Sequence, residues 1–178
     1  MSKKINFVIL SDTRENLPYT FKGYNCEVKR AGLKTGDYSI EGYENEICIE
    51  RKSKADLYSS LGKGRERFER EFERMSKTEY KALVIEASLS SCLMGSEYSL
   101  MQPSAVINSC VSWGIRFNVQ IYFADTRQLA ECLVYRIMEK FLYNKNRAFG
   151  DIRKNTTKKG GEEIKCNSIC FKNQLCNK

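Results

Sequence analysis

The sequence predicts an α/β fold, a mixed central β-sheet flanked by helices. Three observations support it. Mainly apolar runs at 5–10 and 80–87 are typical of strands buried on both faces. The segment 65–76 instead has a helical period, with Phe68, Phe72 and Met75 forming an apolar stripe. Turn residues separate the segments, and the order of strands and helices predicts a sheet covered by helices.

The elements follow in order from their local patterns. Two short segments, 37–41 and 46–52, form a predicted hairpin around Gly42. Ser53 suits the N-cap of the helix that follows. The patterns predict strands at 5–10, 24–30, 37–41, 46–52, 80–87 and 119–123, and helices at 55–61, 65–76, 103–113 and 126–141.

Three boundaries in the second half rest on turn and cap signals. Small polar residues at 88–99 predict a loop. Pro103 fits the first turn of a helix that we expect to end before Gly114, and Asp125 or Thr126 suits the cap of the last helix.

The 178-residue chain divides by composition. We predict one globular domain at 1–143, long enough to bury a core. The segment 144–178 carries nine Lys/Arg against three Asp/Glu and has no convincing period, so we expect a partly disordered basic tail. The net charge of +8 favours a polyanionic partner such as nucleic acid, although basic tails also serve solubility.

Cysteine and histidine usage excludes several chemistries. Five of the eight cysteines lie in apolar segments, as reduced cysteines do. The three cysteines of the tail are one ligand short of a zinc site, and the chain contains no histidine. Histidine-dependent hydrolysis is therefore excluded. The tail cysteines are Cys166, Cys170 and Cys176.

The apolar runs also bear on location. None approaches the roughly 20 residues of a membrane helix, and the run at 5–10 is too short for a signal peptide. With a mean hydropathy of −0.51, we expect a cytoplasmic protein of a bacterium or phage-infected cell, or a nuclear one if the source is eukaryotic or viral.

One string of residues carries the predicted chemistry. Gly-Asp-(12)-Glu-Arg-Lys-(3)-Asp-Leu spans residues 36–57. Side chains alternate along a strand, so Glu50 and Lys52 share one face, with Asp37 on the neighbouring strand. Carboxylates beside an ammonium suit metal-assisted phosphodiester cleavage. A lone Glu-x-Lys is more often part of a solvated strand edge, but the full string is a far more specific pattern and favours the functional interpretation.

A further aspartate ends the first buried strand. Asp12 lies where a charge is costly unless it has a role, and a turn or cap aspartate is the alternative. If the hairpin pairs beside the first strand, Asp12 converges with Asp37 and Glu50. Such carboxylates, with water and phosphate, would complete the shell of Mg²⁺ or Mn²⁺.

These motifs resemble the XPF-type nuclease domain of the restriction-endonuclease-like superfold. The resemblance covers about residues 5–142 and rests on the segments 8–15, 36–38, 50–57 and 67–71. It implies a Mg²⁺- or Mn²⁺-dependent endonuclease acting on flapped, forked or otherwise branched DNA in repair or recombination. By role, it implies the metal carboxylates Asp12, Asp37 and Glu50, the catalytic Lys52, and the bracing residues Arg51 and Asp56.

Basic residues near the site are candidate DNA contacts. The resemblance matches Arg14 and Arg67 to arginines of the family, and Lys63 and Arg65 lie near the same helix start. All four are predicted DNA-binding residues, with an exposed charged face as the alternative. Arg51, on the opposite strand face, would pair with Asp56 or Glu15, or form a plain surface ion pair.

The chain departs from larger members of the family. Only about 35 residues follow the domain, too few for a tandem helix-hairpin-helix module, so we expect the basic tail to supply DNA affinity. In this respect it resembles compact members from phages and mobile elements. The apolar stripe of the helix 126–142 predicts a homodimer or, alternatively, ordinary core. An inactive DNA-binding scaffold and a nuclease acting on RNA or single strands remain open alternatives.

Overall fold

The computed structural model describes residues 6–97 and 99–156, with side chains described as far as residue 147. Six strands and five helices form this part of the chain. The strands are β1 (Phe7–Asp12), β2 (Cys26–Ala31), β3 (Tyr38–Ile40), β4 (Ile47–Ser53), β5 (Tyr80–Glu86) and β6 (Gln120–Phe123). The helices are α1 (Lys54–Leu61), α2 (Arg65–Met75), α3 (Leu89–Leu93), α4 (Pro103–Phe117) and α5 (Arg127–Thr156).

The strands form one mixed sheet in the order β2-β1-β3-β4-β5-β6. The predicted hairpin is confirmed, since β3 runs antiparallel to both β1 and β4. The pairs β1–β2, β4–β5 and β5–β6 are parallel. This order puts the end of β1 next to the start of β3, and the end of β4 next to the end of β5. The mixed α/β sheet predicted from the sequence is therefore confirmed.

Local signals placed the first two helices correctly. Ser53 caps α1, because its hydroxyl accepts a hydrogen bond from the Asp56 amide at 3.1 Å. Phe68, Phe72 and Met75 of α2 are buried as a single stripe. They pack with Trp113 in one of two apolar clusters.

The second half differs from prediction at two places. The predicted loop at 88–99 contains α3, which begins because the Ser88 hydroxyl accepts from the Ser91 amide. Helix α4 continues through Gly114 to Phe117 and is capped by Asn118, which has left-handed backbone angles. A Cβ at position 114 would lie 3.0 Å from Ile121 Cγ1, so this glycine allows the helix to approach the sheet closely.

The last helix is longer than its apolar pattern predicts. It begins after Thr126, whose hydroxyl accepts from the Leu129 amide at 3.2 Å, and continues to Thr156 instead of ending near 141. The first part of the predicted tail is thus helical. The chain divides into two compact units between Leu142 and Tyr143. The three tail cysteines and the predicted disorder after 156 lie outside the described residues.

Residues on alternate faces of the sheet enter two different apolar clusters. Ile47 and Ile49 join the cluster that includes the first part of α5, whereas Cys48 joins the one formed with α1, α2 and α4. Most of the apolar stripe on α5, from which a homodimer was predicted, packs in this chain's own core. The stripe therefore does not support a homodimer. Leu129 is the exception, because it is 54% exposed. Buried stripe residues are Val134, Met138, Phe141 and Leu142.

Two composition-based expectations can be compared with the described residues. The five cysteines in apolar segments are all free thiols, as predicted for reduced cysteines. Among the described helices, none combines the length and apolar character needed to cross a membrane.

Candidate active site

The backbone of Asp37 joins the three strands that carry the site. Its N–H donates to the Ile49 carbonyl at 2.8 Å, and its own carbonyl accepts from the Asp12 N–H at 2.8 Å. The preceding Gly36 has φ of +72°, and a Cβ there would lie 3.1 Å from the Ile49 carbonyl oxygen. Backbone geometry therefore requires the glycine of the Gly-Asp pair, since only glycine enters this tight turn without strain.

The Asp37 carboxylate is held by one main-chain donor. Its Oδ2 accepts from the Arg51 N–H at 2.7 Å. Burial, followed by repulsion from Glu50, raises the pKa of Asp37 to about 8. A cation at this carboxyl group would displace the proton, because a nearby positive charge lowers the pKa of a carboxyl group.

Glu50 and Lys52 project from the same face of β4, as strand alternation predicted. Lys52 Nζ lies 2.7 Å from Glu50 Oε1, and Glu50 is only 6% exposed. Burial raises the pKa of Glu50, and Lys52 partly offsets the rise. Burial opposes the charge of Lys52, but Glu50 and Asp37 outweigh it and raise the pKa of that ammonium. Lys52 is therefore charged at neutral pH.

Asp12 lies at the end of β1 but its carboxylate is committed to a loop. It accepts from the Arg14 N–H and the Leu33 N–H at 2.7 Å each, and from Arg14 Nε at 2.8 Å. Burial opposes ionisation of Asp12, but these hydrogen bonds dominate and lower its pKa. Arg14 also donates to the Leu33 carbonyl, so it closes this loop rather than presenting a free cation to DNA.

The three predicted metal carboxylates are not gathered into one cluster. Within the described residues, no three acidic, cysteine or histidine side chains are arranged to hold an ion together. Asp37 and Glu50 form the acidic pair, while Asp12 matches the alternative of a turn aspartate. The pair fits Mg²⁺ or Mn²⁺ chemically, because hard cations prefer carboxylate oxygen and keep several waters as ligands.

Arg51 lies on the opposite face of β4, and its side chain is only 9% exposed. Its predicted partner Glu15 is within 3.4 Å, but the main contact is a two-point pair with Glu86, with 2.7 Å for each bond. The surface ion pair and the pairing with Asp56 are both wrong. Asp56 instead accepts from the Ser53 hydroxyl at 2.7 Å and closes the cap of α1. It also contributes to the raised pKa of Lys52.

The three basic residues near the start of α2 differ in how far their side chains are bound by other residues. Lys63 and Arg67 are exposed and have no ion pair among the described residues. Arg65 donates to Ser109 Oγ at 3.0 Å and lies over the Trp113 ring at 4.7 Å. Lys63 and Arg67 therefore remain the better candidates for phosphate contacts, while part of Arg65 holds α2 against α4.

Two carboxylates near the site were missed in the sequence. Glu71 of α2 accepts from the Thr35 hydroxyl at 2.5 Å and the Gly36 N–H at 3.0 Å, and so supports the turn before Asp37. Its position three residues after Phe68 puts it beside the buried stripe, a signal that could have revealed it. Glu86 ends a buried strand, the same signal that drew attention to Asp12.

The mixed sheet, with an acidic pair and a lysine at adjoining strands, defines an α/β domain of the nuclease type. The profile of the ERCC4 domain family matches residues 11–137, and the chain belongs to that family, a nuclease family. The resemblance to the XPF-type nuclease domain and its fold is thus confirmed.

Two solved structures share the fold at 15% sequence identity. XPF from Aeropyrum pernix has a TM-score of 0.61 over 83% of this chain and 69% of that one. XPF from Aeropyrum pernix in a complex with DNA has the same TM-score over 78% and 66%, respectively. No curated protein sequence matches the chain.

Proposed function

We propose that this protein is a divalent-metal-dependent endonuclease that cuts branched or otherwise structured DNA. The observation that carries the proposal is the acidic pair formed by half-buried Asp37 and buried Glu50, with Lys52 2.7 Å from Glu50. An acidic pair that is partly shielded from solvent suits a cation, and a charged lysine beside it suits the water or the phosphate of a cleavage reaction. Membership of a nuclease family agrees with this chemistry.

In the proposed reaction, Asp37 and Glu50 would hold Mg²⁺ or Mn²⁺. The bound ion would lower the pKa of a water ligand and offset charge on the phosphate. Glu50 raises the pKa of Lys52, so the lysine remains protonated. It is available to orient the attacking water or to stabilise the developing charge. The Arg51 N–H fixes one oxygen of Asp37, which keeps the carboxylate in place as the ion binds.

Affinity for DNA is proposed to come from basic groups beside this site. Lys63 lies just before α2, and Arg67 lies in its first turn. Glu71 of the same helix contacts the turn before Asp37, so phosphates bound by Lys63 and Arg67 would lie near the acidic pair. A fold neighbour that was solved with DNA supports this class of partner. The preferred branch, and a location in the cytoplasm, stay predictions from the sequence.

A cleavage panel tests the proposal. Wild-type protein with Mn²⁺ is incubated with flap, fork, four-way junction, linear duplex, single-stranded DNA and RNA substrates. We expect cleavage of a branched DNA, loss of cleavage in EDTA, and at least 100-fold slower cleavage by Asp37→Asn. Glu41→Gln, a change in an exposed carboxylate, is the matched control.

The panel also separates the alternatives. Preferential cutting of RNA or single strands would replace the substrate class. Binding of branched DNA without any cleavage would favour an inactive scaffold, and cleavage by Asp37→Asn at the wild-type rate would refute the site.

A further inference from the structure

A carboxylate behind the candidate site has no part in the proposed reaction. Glu86 ends β5, and its side chain is 8% exposed although it carries a charge. It lies with Arg51 on the face of the sheet opposite to Glu50 and Lys52, because side chains alternate along β4. Burying a carboxylate is costly, so its complete set of partners indicates a defined structural task.

All four donors of Glu86 come from segments around the site. Arg51 donates through Nε to Oε1 and through Nη2 to Oε2, each at 2.7 Å. The Tyr19 hydroxyl donates to Oε1 at 2.8 Å, and Arg127 Nη1 at 3.1 Å. Two parallel hydrogen bonds fix the plane of the Arg51 guanidinium as well as its position.

The same Arg51 contacts the acidic pair through its main chain. Its N–H donates to Asp37 Oδ2 at 2.7 Å, so the residue anchored by Glu86 is also the one that orients Asp37. Glu15 approaches Arg51 only at 3.4 Å through a single nitrogen. Glu86 is therefore the main anchor of this part of β4.

We infer that Glu86 is a positioning residue: its two-point pair with Arg51 holds the main-chain N–H that orients the Asp37 carboxylate. The inference rests on the proposed function for its catalytic consequence, but the geometric part stands by itself. Arg127 begins α5 and also donates to the Leu17 carbonyl at 2.7 Å, which adds a second support to the carboxylate.

The experiment compares Glu86→Gln with wild type and with Glu131→Gln. Glu131 is also a partly buried acceptor, but its hydrogen bonds go to Phe21 and Thr20 rather than to Arg51. The first readout is amide hydrogen exchange in EDTA, which requires neither metal nor catalysis. In Glu86→Gln we expect exchange at the Arg51 N–H to accelerate at least tenfold, with Ile49 unchanged.

The second readout is functional. We expect Glu86→Gln to bind Mn²⁺ more weakly by calorimetry and to lower kcat at least tenfold, with KM within twofold of wild type. A purely structural role would lower the melting temperature and the active fraction without changing exchange selectively at Arg51. If Glu86→Gln fails to fold, Arg51→Lys, which loses the two-point geometry, is expected to give the same selective exchange.

Unchanged exchange at residue 51 in the folded variants would overturn the inference, whatever happens to cleavage. If wild type cuts no DNA while that exchange accelerates, the proposed function fails and the positioning role stands. The two failures are therefore distinguishable.

Discussion

Lys52 Nζ and Glu50 Oε1 lie 2.7 Å apart on one face of β4, beside the Asp37 carboxylate. Each group changes the protonation of the other: the lysine moderates the rise in the pKa of Glu50, and the carboxylates raise the pKa of Lys52. Lys52 is therefore held as a cation in a largely dehydrated place, next to a carboxyl group whose pKa is raised. This combination is suited to a metal ion and a phosphate at once.

The raised pKa of Asp37 predicts an unusual dependence of stability on pH. Without metal, the folded protein binds a proton at Asp37 that the unfolded chain releases above its ordinary pKa of 3.8, and the folded pKa is about 8. This contribution to stability is complete below pH 3.8 and is lost as the pH rises to about 8.

Urea denaturation in EDTA at pH 5 and pH 8.5 measures that contribution. We expect the unfolding free energy of wild type to fall relative to Asp37→Asn by more than about 1 kcal/mol over this range. Equal changes in the two proteins would show that Asp37 has an ordinary pKa.

Gly36→Ala is predicted to destabilise the protein more than Gly23→Ala. Both glycines have positive φ, so both substitutions carry a backbone penalty of about 1–2 kcal/mol. Only position 36 adds crowding, since its Cβ would meet the Ile49 carbonyl at 3.1 Å and Cys48 Cβ at 3.3 Å. Thermal denaturation of the two variants tests this, and equal losses would contradict the required close approach.

Glu71→Ala is predicted to weaken the turn before Asp37. It leaves the buried Gly36 N–H without its acceptor, which costs about 1–3 kcal/mol. Glu71→Gln keeps an acceptor oxygen, so we expect it to lower the stability less than Glu71→Ala does. Glu73 is exposed on the same helix, and we expect Glu73→Ala to change the stability little. Urea midpoints compare the three, and a Glu71→Ala midpoint equal to that of Glu73→Ala would remove this role.

The double variant Lys63→Ala and Arg67→Ala is predicted to bind DNA less tightly in a salt-dependent way. If each cation neutralises one phosphate, the slope of log K against log salt should become shallower by about 2. Fluorescence anisotropy with a fork at several salt concentrations measures the slope. Lys29→Ala, whose ion pair with Glu41 is exposed, is the control. An unchanged slope would exclude contacts at these positions.

The parts of the fold that were predicted correctly depend on neighbours in sequence. The Ser53 cap, the apolar stripe of α2 and the shared face of Glu50 and Lys52 follow from spacing alone. The helix end predicted at Gly114 was wrong, because this glycine allows close packing against Ile121 of β6 and does not end the helix. The extension of α5 was missed because its second half has few apolar residues.

The site was predictable to the same extent. Asp37, Glu50 and Lys52 adjoin because a hairpin brings them together, and the hairpin has local signals. The Asp12 carboxylate accepts a hydrogen bond from Leu33, and the Glu86 carboxylate accepts from Arg51 and Arg127. In each case the donor is distant in sequence from the carboxylate. Such pairings arise only when the strands are in register, so spacing could not distinguish a metal ligand from a loop anchor.

The most direct test of the account is single-turnover cleavage of a branched DNA by Lys52→Met with saturating Mn²⁺. The substitution retains an unbranched side chain of similar length and removes the charge 2.7 Å from Glu50. We predict that the cleavage rate falls at least 100-fold, in the range of a lost catalytic proton or charge contact, while fork binding changes less than threefold. Cleavage within threefold of wild type would contradict the central claim that Lys52 and the acidic pair form the active site.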